Sequence, residues 1–199
     1  YTAFHTAHTR GGAVARPLLF DWPTDALARA ASSSQWMMGT HLLVAPVLQQ
    51  GVAAARVYLP PGTWYHLSWA THYAGGSVYN VPAPIGDPPV FVRAGGVLPL
   101  SRTPSLTTTE TAASGFLLLA AFGSGDCAAS PSQQQNPAAQ GSLYWDDGTT
   151  MAVGDPTTTL HMAFTAGCGV DGGDAGNGLP GGWLNVTNLY AAGKAGGSD

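Results

Sequence analysis

The hydrophobic positions of this chain follow two regimes, and the change falls near His41. In "YTAFHTAHTRGG" (1–12), Tyr1, Phe4, His5 and His8 share one helical face, and the glycine pair stops the run. "AVARPLLFDWP" (13–23) is apolar almost throughout and is closed by Pro23. That predicts a strand buried on both faces, as in a parallel sheet. "SSSQWMMG" (32–39) offers a serine N-cap, a short helix and a glycine stop. Helix, buried strand and helix make the alternating unit of an α/β barrel or doubly wound sheet. A single such unit is present.

From His41 onward the pattern becomes short apolar runs punctuated by Gly and Pro. "HLLVAPVL", "AARVYLP", "TWYHLSW", "THYAGGSVYNVPA" and "PVFVRAGGVLPL" predict the strands of a β-sandwich. A thin Thr- and Ser-rich link, "SRTPSLTTTETAASG" (101–115), leads to a second β-pattern of "FLLLAAF", "GSLYW" and "TLHMAFTA". "SGDCAASPSQQQNPAAQG" (124–141) between them reads as a long flexible loop. The Gly-rich run after Cys168, "GVDGGDAGNGLPGG", can bury little and is expected to be disordered.

The adjacent carboxylates of "LYWDDGTT" (143–150) raise the question of chemistry, because sugar hydrolases work with paired acids. The two carboxyl groups of a retaining glycosidase stand about 5–5.5 Å apart across one bond, and those of an inverting one roughly 6.5–9.5 Å apart. Neighbouring strand residues point to opposite faces and do not converge in this way. Asp tolerates left-handed backbone and Gly adopts it without steric cost, so Asp146-Asp147-Gly148 predicts a hairpin turn, with "GSLYW" paired to "TTMAV".

Composition narrows the class. Of 199 residues, 45% are hydrophobic and only 9% charged, with 27 glycines, 15 prolines and a single lysine, Lys194. This balance suits a turn-rich β-protein and disfavours long amphipathic helices. A net charge of −4 without a basic run argues against nucleic acid as a partner. No apolar stretch reaches the length of a membrane span. The chain has no initiator methionine and starts inside a helical pattern, without the basic start and apolar core of a signal peptide. It reads as a piece of something longer. Cys127 and Cys168 have no metal-ligand spacing, and one disulfide or two thiols are equally open. Asn185-Val186-Thr187 fits the glycosylation acceptor pattern, which matters only on a secretory route.

Taken in order, "YTAFHTAHTRGGAVARPLLFDWP", "HLLVAPVL", "VYLPPGTWYHL", "PVFVRAGGVLPL", "LTTTE" and "LYWDDGTT" resemble glycoside hydrolase family 31, and within it α-glucosidases of the acid or lysosomal type. The similarity covers roughly residues 1–165. It implies a mainly β chain that joins the end of a (β/α)8 barrel to a proximal β-sandwich and a truncated distal one. Residues 1–42 would be the last barrel strand with its flanking helices, 43–111 the proximal sandwich, and 112–199 the partial distal sandwich with its Gly-rich tail. Such enzymes hydrolyse terminal α-linked glucose of oligosaccharides with retention, through Asp residues on earlier barrel strands. Both catalytic motifs would precede Tyr1, so no position here inherits a catalytic role and the chain alone is expected to be inactive. The substrate-binding residues are not assigned, and neither metal nor cofactor is called for. The resemblance also implies a secretory, vacuolar or lysosomal route. The sequence departs from many relatives at "SSSQW", where they carry Asp-Asp, and at His66, where they carry Asp.

Several residues still invite a functional reading. His5 and His8 are one turn apart but lack a third ligand nearby, which favours helix packing over a metal. Arg93, inside "VFVRAG", needs a partner for its charge and is expected to link sandwich to barrel. Trp64, Tyr65 and Trp69 have faces suited to sugar rings, although sandwich packing explains them as well. Asp21 follows the barrel-strand run, where barrel active sites gather residues. Two functional readings result: the C-terminal part of a retaining α-glucosidase, or a stand-alone carbohydrate-binding or scaffold β-module. The half-barrel unit favours the first, since a binding module has no use for one strand of a parallel barrel.

Overall fold

The computed structural model describes residues 1–123, 138–150, 155, 157–168 and 182–188. They form two compact units, one of Thr6–Gly96 and one of Tyr1–His5 with Val97–Asp199. The opening helix α1 (Thr2–Arg10) runs across the junction of the two in sequence. Strands dominate both units, as the turn-rich composition predicts.

In the Thr6–Gly96 unit the first segments differ from expectation. The apolar run does not make one long strand. It makes a short strand β1 (Ala15–Pro17), followed by a 3₁₀ turn at Leu18–Phe20. Pro17 explains the break: it has no N–H to extend the ladder, and its fixed φ suits the entry to a helical turn. The helix α2 occupies Ala26–Ala31, ahead of the serine run, and its cap is Asp25, whose carboxylate accepts from the Leu27 and Ala28 N–H groups. The serines close the other end of that helix. Ser32 Oγ donates to the Ala28 carbonyl and Ser34 Oγ to that of Ala31. "WMM", expected to be helical, is the strand β2 (Trp36–Met38), with Met37 fully buried and Met38 outside.

The predicted sandwich strands follow as β3 (Leu42–Val44), β4 (Ala54–Leu59), β5 (Thr63–His66), β6 (His72–Ala74), β7 (Ser77–Pro82) and β8 (Val90–Arg93). One sheet has the order β1-β2-β3-β8-β5-β6, and β4 pairs with β7 in a second. Every pairing is antiparallel, including that of β1 with β2. Alternation sets the core: Met37, Leu43, Trp64 and Phe91 of the larger sheet cluster with Val57, Leu59 and Val81 of the smaller. Tyr58 lies on the opposite face of β4 from Val57 and Leu59, yet it is also buried. Its hydroxyl donates to Asp25, and Gln35 bonds both its backbone N–H and its carbonyl.

The second unit holds β9 (Gly96–Ser101), β10 (Phe116–Ala121), β11 (Ala139–Asp146), β12 (Thr159–Cys168) and β13 (Gly182–Asn188), in the sheet order β10-β9-β11-β12-β13. The Thr-rich link is not structureless. Thr108–Ala113 forms a helix, and the Thr107 hydroxyl accepts from the Glu110 N–H at its start. The partner of "GSLYW" is also corrected. Strand β11 pairs with β12, with Leu143 opposite Met162 and Asp146 opposite Thr159, so the connection is longer than a tight hairpin. Met151, Ala152 and Val153 of the expected partner lie outside the described residues, as do the loop at 124–137, Cys127 and most of the Gly-rich run. Strand β13 has no counterpart among the expected elements. Leu143, Phe164 and Ala166 anchor the core of this sheet, with Phe116, Leu118 and Trp145 packed beside them.

Candidate functional site

The turn after β11 is built from its two aspartates. Asp146 Oδ1 accepts from the Gly148 N–H at 2.9 Å and from the Tyr1 hydroxyl at 2.6 Å. Asp147 Oδ1 accepts from the Thr149 and Thr150 N–H groups at 3.0 and 2.8 Å, and its Oδ2 takes the Thr150 hydroxyl. Gly148 has φ 69°, the left-handed value the dipeptide predicts. The Thr150 hydroxyl first, then the Thr150 and Thr149 N–H groups, hold the Asp147 carboxyl down at about 2. A general acid needs its pKa raised so that it carries a proton to donate. Asp147 is tuned the other way. Each carboxylate is occupied with turn donors, and the two do not converge on one substrate.

Asp21 is also committed locally, in an ion pair with Arg16 at 2.8 Å. Arg16 also donates to the Gly39 carbonyl at 2.9 Å, which ties β1 to the end of β2. Arg93 meets an aromatic face: its guanidinium carbon stands 5.0 Å from the ring centroid of Trp22. The expected carboxylate partner is not found among the described residues.

The three aromatics separate by burial. Trp64 is fully buried and donates from Nε1 to the Pro60 carbonyl at 2.7 Å, so it is core. Tyr65 is half-buried, with its ring 5.6 Å from that of His72. Trp69 is 41% exposed and stacks on His66 with centroids 4.0 Å apart and 9° between planes. His5 lies flat on Tyr144 at 3.7 Å and 8°, and His161 stands edge-on to both. His5 is therefore a packing residue in the second unit, and His8 is exposed. Among the described residues no three His, Cys, Asp or Glu side chains gather as a metal site requires.

Two surface hollows on the Thr6–Gly96 unit bear on catalysis. One, of about 500 Å³, is lined by Leu27, Gln35, Val47, Val52, Arg56 and Asn80 among others. The second, of about 590 Å³, is walled by Pro46, Val52, Pro84 and Ile85 with their neighbours. Neither lining includes an aspartate or a glutamate. Hydrolysis of a glycosidic bond in this unit would need an acid and a nucleophile or base in one hollow. These hollows supply neither.

The features that sequence reasoning missed are structural. Asp25 joins helix, strand and tyrosine. The Tyr58 hydroxyl first, then the Ala28 and Leu27 N–H groups, lower the Asp25 pKa, while burial chiefly, helped by Asp25, raises that of Tyr58 to about 12. An aspartate just before "ALARAA" was the available signal. His66 is the other. It is 1% exposed, between Trp69 and Phe91, and neither ring nitrogen has a hydrogen-bond partner among the described residues. Burial pushes its pKa below the ordinary 6.5, and the charge of Asp87 only partly opposes this.

That shift has a testable consequence. An unfolded His66 takes up its proton at a higher pH than the folded one, so its contribution to stability is present above the unfolded value. It is lost as pH falls from about 6.5 toward the folded pKa. The urea midpoint of the Thr6–Gly96 unit should drop between neutral pH and about pH 5, with a shallower drop in His66→Phe. An unchanged slope in that variant would remove His66 as the cause.

The fold and the site define a β-sheet region in which acids build turns, caps and ion pairs. Residues 11–98 match the glycosyl hydrolase family 31 C-terminal domain. The chain is 37% identical over 174 residues to an α-glucosidase of Aspergillus niger, covering 83% of this chain and 16% of that protein. It is 34% identical over 183 residues to the lysosomal α-glucosidase of Bos taurus, covering 83% and 18%. It also superimposes on an α-xylosidase of the same family from Xanthomonas citri, with a TM-score of 0.65 at 24% identity, over 84% of this chain and 18% of that one. The chain belongs to glycoside hydrolase family 31 and carries its C-terminal domain. It spans less than a fifth of the length of these relatives.

Proposed function

We propose that this chain is the C-terminal part of a retaining α-glucosidase that releases terminal α-linked glucose from oligosaccharides. The observation that carries the reading is similarity to α-glucosidases over 83% of the chain, at 37% and 34% identity. The acid pair belongs to the part of a barrel that lies outside residues 1–199. Residues 1–42 are the end of that barrel, 43–111 a proximal sandwich and 112–199 part of a distal one. No residue of this chain acts as nucleophile or acid. Its part is to cover the barrel and hold it in shape.

The test is an aryl α-glucoside assay on residues 1–199 and on the full-length protein. We expect no turnover from the former. The latter should turn over, with α-glucose as the first-formed anomer by NMR. Turnover by residues 1–199 that disappears in Asp21→Asn would overturn the assignment of catalysis elsewhere. A full-length protein active on α-xylosides but not α-glucosides would overturn the substrate.

A further inference from the structure

The acceptor tripeptide Asn185-Val186-Thr187 lies within β13, and the sheet order ends at this strand. Register decides which way each residue faces. Leu184 is paired with Ala166 and Val186 with Phe164, and those two partners are core residues at 2% exposure. Directly opposed strand residues share a face, and alternate residues face opposite ways. By register Leu184 and Val186 therefore share the face of Phe164 and Ala166, although on this outer strand they stay 50% and 41% exposed. Asn185, paired with Thr165, and Thr187, paired with Ala163, lie on the other. Both are exposed. Amide and hydroxyl stand on the same open face of an edge strand. A branched sugar attached there would displace no packed side chain and no neighbouring strand among the described residues.

We propose that Asn185 is an N-glycosylated residue, modified while the chain passes through a secretory compartment. The co-reactant is an oligosaccharide carried on a lipid pyrophosphate. The Asn185 amide nitrogen forms a bond to C1 of the first sugar as the C1–O bond to pyrophosphate breaks. The pyrophosphate leaves with the electron pair, and the amide gives up one proton. No oxidation or reduction takes place. The Thr187 hydroxyl belongs to the recognition element, so serine should replace it and alanine should not.

The full-length protein, isolated from its own cells and digested, is treated with an amidase that cleaves the glycan and converts a glycosylated Asn to Asp. We expect Asp at position 185 after treatment and a glycopeptide before it. Secreted from a eukaryotic host, Asn185→Gln and Thr187→Ala should each lose one glycan of mass relative to the unchanged protein, while Thr187→Ser keeps it. An unmodified Asn185 in the native protein would overturn the proposal, whatever the cause. So would a mass unaffected by Asn185→Gln.

Discussion

Trp64→Ala is expected to destabilise the Thr6–Gly96 unit by about 3–5 kcal/mol, the cost of emptying an aromatic site in a packed core. Trp64 has 0% exposure among Leu43, Leu59 and Phe91, and its indole also packs against the partly buried Trp22 at 6.2 Å. The indole N–H satisfies the Pro60 carbonyl at 2.7 Å, where the chain turns from β4 into β5. Alanine loses the transfer energy, leaves a cavity and strands that carbonyl, and the three losses act together. Against a total of about 5–15 kcal/mol for a typical domain, this is a large share. Trp69→Ala is the contrast: its ring is already 41% exposed, and the loss should stay below about 1 kcal/mol. Urea denaturation followed by circular dichroism measures both. Equal losses for the two tryptophans would show that burial does not separate their roles.

Gly141→Val is expected to disrupt the sheet of the second unit, with a loss at or beyond the usual 1–3 kcal/mol of overpacking. A Cβ at Gly141 would stand 1.8 Å from the Val97 carbonyl oxygen and 2.8 Å from its carbonyl carbon. Both obstacles are backbone, so no side-chain rotation relieves the contact. The β9 and β11 strands would have to separate, taking Val97 and Leu143 out of their shared core. Gly148→Asn provides the control. Space is open around Gly148, and its left-handed φ is one that asparagine tolerates. Hydrogen exchange across β9 and β11 should rise in Gly141→Val and stay near the parent level in Gly148→Asn. Matching exchange in the two variants would sink the close-approach explanation.

The sequence determined much of this protein through short-range physics. The predicted strands from Leu42 to Arg93 form because alternating apolar residues between Gly and Pro have few other ways to bury one face. The Asp146-Asp147-Gly148 turn forms because its carboxylates reach N–H groups two and three residues ahead. Family membership was legible for a related reason: the ordered motifs are mostly strands and turns whose residues are dictated locally.

Only tertiary structure decided the rest. Whether "WMM" is helix or strand depends on β3, which offers it a ladder, and on the helix upstream, which Asp25 starts and Ser32 and Ser34 close before Trp36. The partner of β11 was settled by the match of Leu143 and Trp145 with Met162 and Leu160 on one face, a pairing that a nearby turn cannot specify. The fates of Trp64, Trp69 and Arg93 depended on which face of which sheet each met. Burial is a property of the neighbours, and a residue's own chemistry does not name them.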